Sequence, residues 1–353
     1  MFWTLLRQRE TTLVTFGDAL ASWLEHPDDT TAHRCLMSKK EFVSAHTWDI
    51  DKPPPVPFYG CKTKRWYHAV SRKRWIISML SCTTPLLAIG GILHLAIRND
   101  TFAPNLLAES PFGALNPYAV FGFRDAHGLT ALAECVLLAN LPQMVLSFLY
   151  VMYNGLYTSM HLAHEYAGFA NDRKPLRVTT PKGSQRSTYW LQLPYAYGVP
   201  LIVASAAIHW LVSQAVFLAR VEVWKDGVPS EGSNVAWSGV GYDSMAMIHT
   251  IWLWSCLLIV VVGMGLRKLP SSMPIAGSCS VALAAAAHRP DSDVDAAVLP
   301  VKWGVVRESE DAEGVGHCCF TSEEATEPQV GRLYAGDTKD TDDWLRWRAG
   351  EWR

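Results

Sequence analysis

Four ionisable side chains lie inside long apolar stretches of the sequence, where a charged group is costly and therefore often functional. They are Glu134, His94, His249 and His209. The first three lie about five residues, or roughly 8 Å along a helix, from the same end of their stretches. If the helices pack together, these three form a polar cluster that could exchange protons or hold a cation; alternatively, each stays hydrated or bridges two helices. His209 lies nearer mid-stretch, as is typical of an interhelical hydrogen bond.

A second group, His161, His164 and Glu165, shares one helical face because its members are three and four residues apart. The order does not match the zinc hydrolases, which place a glutamate directly after the first histidine or directly before the second. We therefore interpret this group as a solvated helix face. The sequence also carries no phosphate loop, nucleophile elbow or paired catalytic carboxylates, so it predicts no catalytic residue, no metal and no cofactor.

Four apolar stretches are long enough to position these side chains within a bilayer, since about 20 helical residues cross its hydrocarbon core. They cover residues 75–97, 129–153, 197–219 and 245–266. Three of them lack charged residues and the second contains only Glu134. The sequence therefore predicts an all-α polytopic membrane protein with about four transmembrane helices, whose direct partner is the lipid bilayer.

Basic residues set the predicted orientation, because they remain on the cytoplasmic side during insertion. They cluster before the first stretch, after the second and after the fourth, which places both termini in the cytosol. The sequence does not distinguish the plasma membrane from an endomembrane. We expect the basic residues after the second stretch to contact anionic lipid or a protein partner at the inner surface. These are Arg173, Lys174, Arg177, Lys182 and Arg186.

The remaining sequence predicts a cytosolic N-terminal segment (1–74), the transmembrane region (75–266) and a cytosolic tail (267–353). A capping signal at Thr15 opens a short helix that runs through Leu24. Residues 154–171 extend the second apolar helix, and the β-prone segments 299–306, 315–321 and 331–335 predict a small sheet in the tail. The balance of 31 basic and 33 acidic residues offers no basic face for nucleic acid.

Several segments resemble a fungal multi-pass membrane family known as domain of unknown function 6536. They are LRVTTPKGSQRSTYWLQLPY at 176–195, FGDALASWL at 16–24, HWLVSQ at 209–214, MPIAGSCS at 273–280 and GHCCF at 316–320. The resemblance implies a polytopic fungal protein without an assigned reaction, and it supplies no catalytic residues. It also implies that family members carry a further N-terminal portion.

These observations favour a non-enzymatic scaffold or organiser of unknown activity, whose cytosolic loop and tail recruit protein partners. The alternative is a transport or channel component that uses Glu134, His94 and His249. A membrane-bound enzyme is the third hypothesis. It requires His161, His164 and Glu165 to converge with another ligand in an enclosed pocket.

Overall fold

The structure is a computed structural model that describes most of the chain. The described residues are 13–32, 34–44, 59–60, 62–99, 120–121, 129–190, 192–222, 224–225, 228–229, 236–277, 279–308 and 315–334. They divide into two compact units. Unit 1 combines Met1–Ser71, Thr158–Pro194 and Met264–Arg353, and unit 2 combines Arg72–Tyr157 and Tyr195–Gly263.

The described secondary structure is mostly helical. In chain order, the helices are α1 (Phe16–Glu25), α2 (Lys39–Ser44), α3 (Arg72–Asn99), α4 (Leu129–Ala167), α5 (Tyr195–Ala215), α6 (Ser244–Leu266) and α7 (Ser280–Ala285). The strands are β1 (Val120–Phe121), β2 (Arg177–Val178), β3 (Arg186–Ser187), β4 (Val216–Glu222), β5 (Trp224–Lys225), β6 (Val228–Pro229), β7 (Ala236–Tyr242), β8 (Lys302–Arg307) and β9 (His317–Thr321).

Helices α3 to α6 confirm the four predicted apolar helices, and each is long and apolar enough to cross a membrane. Helix α4 continues to Ala167, which confirms its predicted extension beyond residue 153. Helix α5 instead ends at Ala215, four residues before the end of the predicted stretch. The reason is that Val216 begins a strand that pairs with β7.

Unit 2 also contains a sheet that the sequence analysis did not predict. Strands β1, β7 and β4 form it in that order, and every pairing is antiparallel. Gly241 lies opposite Phe217 in this sheet, and a β-carbon at Gly241 would lie about 2.5 Å from the Phe217 ring. The prediction of an all-α membrane region was therefore wrong, because it treated residues 216–219 as the end of a helix and the segments around 120 and 220–242 as loops.

The helices of unit 2 contact one another through apolar packing and a few hydrogen bonds. Leu146, Ile208 and Val212 form one buried cluster between α4 and α5. The Tyr153 hydroxyl donates to the Leu257 carbonyl at 2.7 Å, and the Trp254 indole donates to the Cys82 carbonyl at 3.0 Å. These bonds satisfy polar groups that an apolar environment would otherwise leave unpaired.

Unit 1 has a large hydrophobic core to which all three of its chain segments contribute. The core includes Leu20 of α1, Phe169 at the end of α4, and Trp303 and Phe320 of the β8–β9 pair. The Phe169 and Phe320 rings pack edge to face with centroids 5.5 Å apart. Burial of these large side chains drives association of segments that are distant in sequence.

The predicted C-terminal sheet is confirmed for two of its three segments. Strands β8 and β9 pair antiparallel, with an irregularity between Val305 and Arg307. The third segment contributes an isolated bridge from Tyr334 to Gly316, and its last residue, 335, lies outside the described residues. Tyr334 is buried in the unit 1 core.

The start of α1 is tied to the chain near β2. Thr15 and Asp18 form the predicted capping box, with the Asp18 amide donating to the Thr15 hydroxyl at 3.1 Å. The Asp18 carboxylate also accepts from the Thr179 amide at 2.7 Å and from its hydroxyl at 2.6 Å. Gly17 permits this approach, because a β-carbon there would collide with the Arg177 carbonyl.

Asp18 makes the stability of unit 1 depend on pH. Partial burial raises the pKa of Asp18, but the hydrogen bonds from Thr179 and Thr15 outweigh it and hold this pKa below its ordinary value of 3.8. A depressed carboxyl pKa stabilises the folded state above the unfolded pKa, and this contribution is lost as the pH falls through the folded pKa.

We therefore predict that Asp18→Asn lowers the melting temperature of the purified full-length chain at pH 7 by about 2–5 °C, as expected for a loss of about 1–2 kcal/mol. The deficit should shrink as the pH falls below the unfolded carboxyl pKa of about 3.9 and through the lower folded pKa, where the wild-type carboxylate becomes protonated. Glu25→Gln, an exposed position at the other end of α1, is the matched control and should change little. Equal deficits for the two variants, or a deficit independent of pH, would contradict this role for Asp18.

Candidate functional site

The predicted face of His161, His164 and Glu165 lies at the end of α4 that belongs to unit 1. The interpretation of this face as solvated is wrong for His161, which is 8% exposed. Its ring packs edge to face on Trp66 with centroids 5.0 Å apart, and the His164 ring lies 4.8 Å from the same indole. Trp66 is distant in sequence, so helical periodicity could not reveal this contact.

Glu165 holds Arg177 in a two-point ion pair. The Arg177 Nε donates to one carboxylate oxygen at 2.9 Å, and its Nη2 donates to the other at 2.6 Å. Its Nη1 donates to the Thr188 hydroxyl at 2.8 Å, and its guanidinium lies 5.0 Å from the centroid of the Tyr189 ring. Burial lowers the pKa of Arg177, but the adjacent Glu165 carboxylate more than compensates and raises it above its usual range.

This ion pair lies in the wall of a large cavity within unit 1. We call it the unit 1 cavity, and its volume is about 710 Å³. Its charged lining side chains are Lys39, Glu165, Asp172, Lys174, Arg177 and Arg186, and polar lining residues include Asn171, Ser187 and Gln192. A cavity of this size falls within the range of ordinary small-molecule sites.

Cations outnumber carboxylates around the cavity, and both carboxylates are already paired. Glu165 is held by Arg177, and Asp172 lies 3.2 Å from the Lys174 ammonium. Within the part of the chain that the structure describes, Lys39 and Arg186 form no ion pair. Among the described lining residues, Lys39 and Arg186 are therefore the two cations without a paired carboxylate.

The cavity wall also contains an unusual backbone conformation. Gln192 has φ of 59°, in the left-handed region, and it is the one residue other than glycine with positive φ among those described. This conformation costs a residue with a side chain roughly 1 kcal/mol relative to glycine, so it marks positions held by their surroundings. Sequence reasoning could not identify Gln192, because glutamine has no preference for this region.

The five basic residues predicted to contact lipid or a partner have different environments. Lys174, Arg177 and Arg186 line the unit 1 cavity. Arg173 donates to the backbone carbonyls of Ser322 and Glu323. Lys182 is exposed. The structure thus brings three of the five together around one cavity, and lipid or partner contact stays a prediction for all of them.

The side chains predicted to form an intramembrane cluster are exposed in the structure. This holds for His94, Glu134 and His249. The His249 Nδ1 lies 2.7 Å from the Met245 carbonyl oxygen of its own helix. Among the described residues, no group of three or more His, Cys, Asp or Glu side chains could hold a metal ion.

His209 contacts a neighbouring helix of unit 2. Its Nδ1 lies 2.6 Å from the side-chain oxygen of Gln143, whose amide nitrogen donates to the His209 carbonyl at 2.9 Å. The two residues therefore form a reciprocal bridge between α4 and α5. His209 also lines a small apolar cavity of about 50 Å³ within unit 2.

A buried cluster of Cys35, His317, Cys318 and Cys319 was missed as a unit by sequence reasoning, since Cys35 lies far from the other three. All four side chains are at most 3% exposed. The His317 Nε2 donates to the His288 carbonyl at 2.6 Å. Burial raises the pKa of Cys35, but the hydrogen bonds and charge of the adjacent Cys318 and His317 outweigh it and lower this pKa. The Cys35 side chain is shielded from solvent.

Comparison with known proteins identifies a family. Residues 15–59 and 50–334 match a family described as Domain of unknown function (DUF8419). The chain belongs to this family. No curated protein and no solved structure matches the chain.

The family membership corrects the resemblance drawn from the sequence. The expectation of domain of unknown function 6536 was wrong, because the match is to a different family of unknown function. That expectation rested on five short segments, and short segments can coincide between unrelated families. The DUF8419 match spans most of the described chain, including the charged residues of the unit 1 cavity.

Burial predicts how the thiol cluster reacts. The pKa of Cys35 is lowered, which favours the reactive thiolate, so burial has to protect this side chain from reagents. We predict that iodoacetamide alkylates Cys35, Cys318 and Cys319 of the folded full-length chain at least about tenfold more slowly than the half-buried Cys279. Mass spectrometry of the alkylated peptides measures this ratio, and denaturant should abolish it. Labelling of Cys35 as fast as Cys279 would show that the cluster is open to solvent.

Proposed function

We propose that this chain is a multi-pass membrane protein in which α3 to α6 cross the bilayer and unit 1 acts as a non-enzymatic binding platform at the cytosolic face. The observation that carries the proposal is the outward apolar surface of the long helices. Only 11% to 28% of the most apolar window of each helix is buried within the protein. Exposure of so much aliphatic surface is unfavourable in water, whereas it is favourable in lipid.

Individual side chains support this placement. Leu87 of α3 is 74% exposed, Leu137 of α4 is 72% exposed, and Ile259 of α6 is 70% exposed. Unit 1 differs, since it has a core of 24 buried apolar residues, although Trp190 on its loop is 87% exposed. This difference is the one expected if lipid surrounds α3 to α6 and water surrounds unit 1.

Helix lengths fit the same proposal. At 1.5 Å per residue, α3, α5 and α6 are roughly 30–40 Å long, which matches the hydrocarbon core. Helix α4 has 39 residues and is roughly 58 Å long, so part of it must leave the bilayer. The part that leaves carries His161, His164 and Glu165 into unit 1.

The positive-inside rule supports a cytosolic location for unit 1. Basic residues precede α3, follow α4 and follow α6, and these flanks all lie in or beside unit 1. Four crossings then return both ends of the chain to the cytosol. The loop 176–190 and the tail after residue 267 are the parts proposed to recruit protein partners.

The side-chain geometry favours a platform over a transporter or an enzyme. His94, Glu134 and His249 are exposed, and the His209 ring is hydrogen-bonded to Gln143. In unit 1, His161 and His164 pack on Trp66, and Glu165 forms an ion pair with Arg177. Groups held in this way suit recognition of a ligand better than proton transfer.

Glycosylation mapping tests the proposal. Asn99-Asp100-Thr101 is itself a glycosylation acceptor sequence, so the test uses an Asn99→Gln background. In eukaryotic cells, we predict that an Asn-Gly-Thr acceptor inserted after Gly113 or Ser233 receives a glycan, while one inserted after Ser184 does not. The protein should also stay in the membrane fraction after alkaline carbonate extraction. A glycan at the Ser184 insertion would contradict the orientation, and release by carbonate would contradict the membrane assignment.

A further inference from the structure

We propose that the unit 1 cavity binds a phosphate-bearing ligand, with Arg186 and Lys39 as its charge partners and Gln192 as a hydrogen-bond donor. The anion site rests on the geometry of unit 1 alone. Only the choice of source, a lipid headgroup or a soluble phosphate ester, rests on the proposed cytosolic location of this unit.

The charge distribution selects an anion. Glu165 and Asp172 would attract a cation if they were free, but Arg177 and Lys174 already neutralise them. What remains on the lining is the positive charge of Lys39 and Arg186. A phosphate group offers negative charge and several acceptor oxygens, which arginine and lysine recognise through charge-assisted hydrogen bonds.

The backbones of the two cationic residues are held in place. The Lys39 amide donates to the Ile275 carbonyl at 2.9 Å, and the Arg186 amide donates to the Leu176 carbonyl at 2.8 Å. The Arg177–Glu165 pair fixes the chain beside Arg186. Ligand binding therefore has to order the Lys39 and Arg186 side chains but not the backbone that carries them.

The volume of the unit 1 cavity and the strained backbone of Gln192 both favour a ligand larger than a single ion. A volume of about 710 Å³ accommodates a phosphorylated sugar or glycerol headgroup with its bound water. Gln192 retains a strained φ of 59° on the wall of this cavity. Such strain is concentrated at ligand sites, where it positions a side chain that a relaxed backbone would direct elsewhere.

The test uses the full-length chain in phosphatidylcholine nanodiscs, with glycerol 3-phosphate as the probe and calorimetry as the readout. We expect saturable binding that Arg186→Gln and Lys39→Gln each weaken at least about tenfold. Lys182→Gln is the matched control, since this exposed cation lies on the same loop but does not line the cavity, and it should weaken binding less than about twofold.

A second arm identifies the source of the phosphate. Nanodiscs containing phosphatidic acid should reduce the affinity for the soluble probe in the wild type if a lipid headgroup enters the cavity. They should leave it unchanged if the ligand is a soluble ester. Either result supports a phosphate site.

Absence of saturable probe binding in the wild type, or equal weakening by Lys182→Gln and Arg186→Gln, would overturn the proposed phosphate site. Nanodisc binding does not depend on orientation in a cell, so this failure is distinct from a failed topology.

Gln192→Gly separates a binding role from a structural one. Glycine adopts positive φ without strain, so we expect the melting temperature to stay equal or rise. Loss of the amide should nevertheless weaken probe binding about threefold or more. Unchanged affinity with unchanged or higher stability would remove Gln192 from the site.

Discussion

The two-point ion pair between Arg177 and Glu165 is the interaction on which the organisation of unit 1 depends. It joins the end of α4 to the loop that carries β2 and β3. The Arg177 carbonyl accepts from the Thr15 hydroxyl at 2.9 Å, so the same residue also positions the start of α1. Removing one partner would leave a partly buried charge without compensation, which is costly in a protein interior.

Local features of this chain were readable from the sequence because they depend on neighbouring residues. The apolar stretches predicted α3 to α6, the Thr15 and Asp18 spacing predicted the cap of α1, and β-prone runs predicted β8 and β9. Features that depend on distant residues were not readable. Trp66 against His161, Gln143 against His209, and the pairing of β1 with β7 each join positions that no local pattern relates.

The residues of the candidate site also divide into those that a local sequence pattern identifies and those that only the fold brings together. The basic character of the 173–186 loop identified three cavity residues, Lys174, Arg177 and Arg186, and it suggested anionic partners. It could not separate them from Arg173, which bonds to a distant backbone, or from the exposed Lys182. Lys39 and Gln192 were missed because folding alone places them beside the loop. Charge composition therefore predicts an anionic partner, whereas packing determines which of these charges line the cavity.

Hydrogen exchange measured by mass spectrometry on Glu165→Gln tests the central role of the ion pair most directly. Native exchange reports local opening, and the amides of Arg186 and Thr188 are held by the Leu176 and Val178 carbonyls. We predict faster exchange in the peptides covering 14–20 and 176–188, at least about tenfold at the slowest amides, with α5 and α6 unchanged. Unchanged exchange in those two segments would contradict the claim that Arg177 and Glu165 hold unit 1 together.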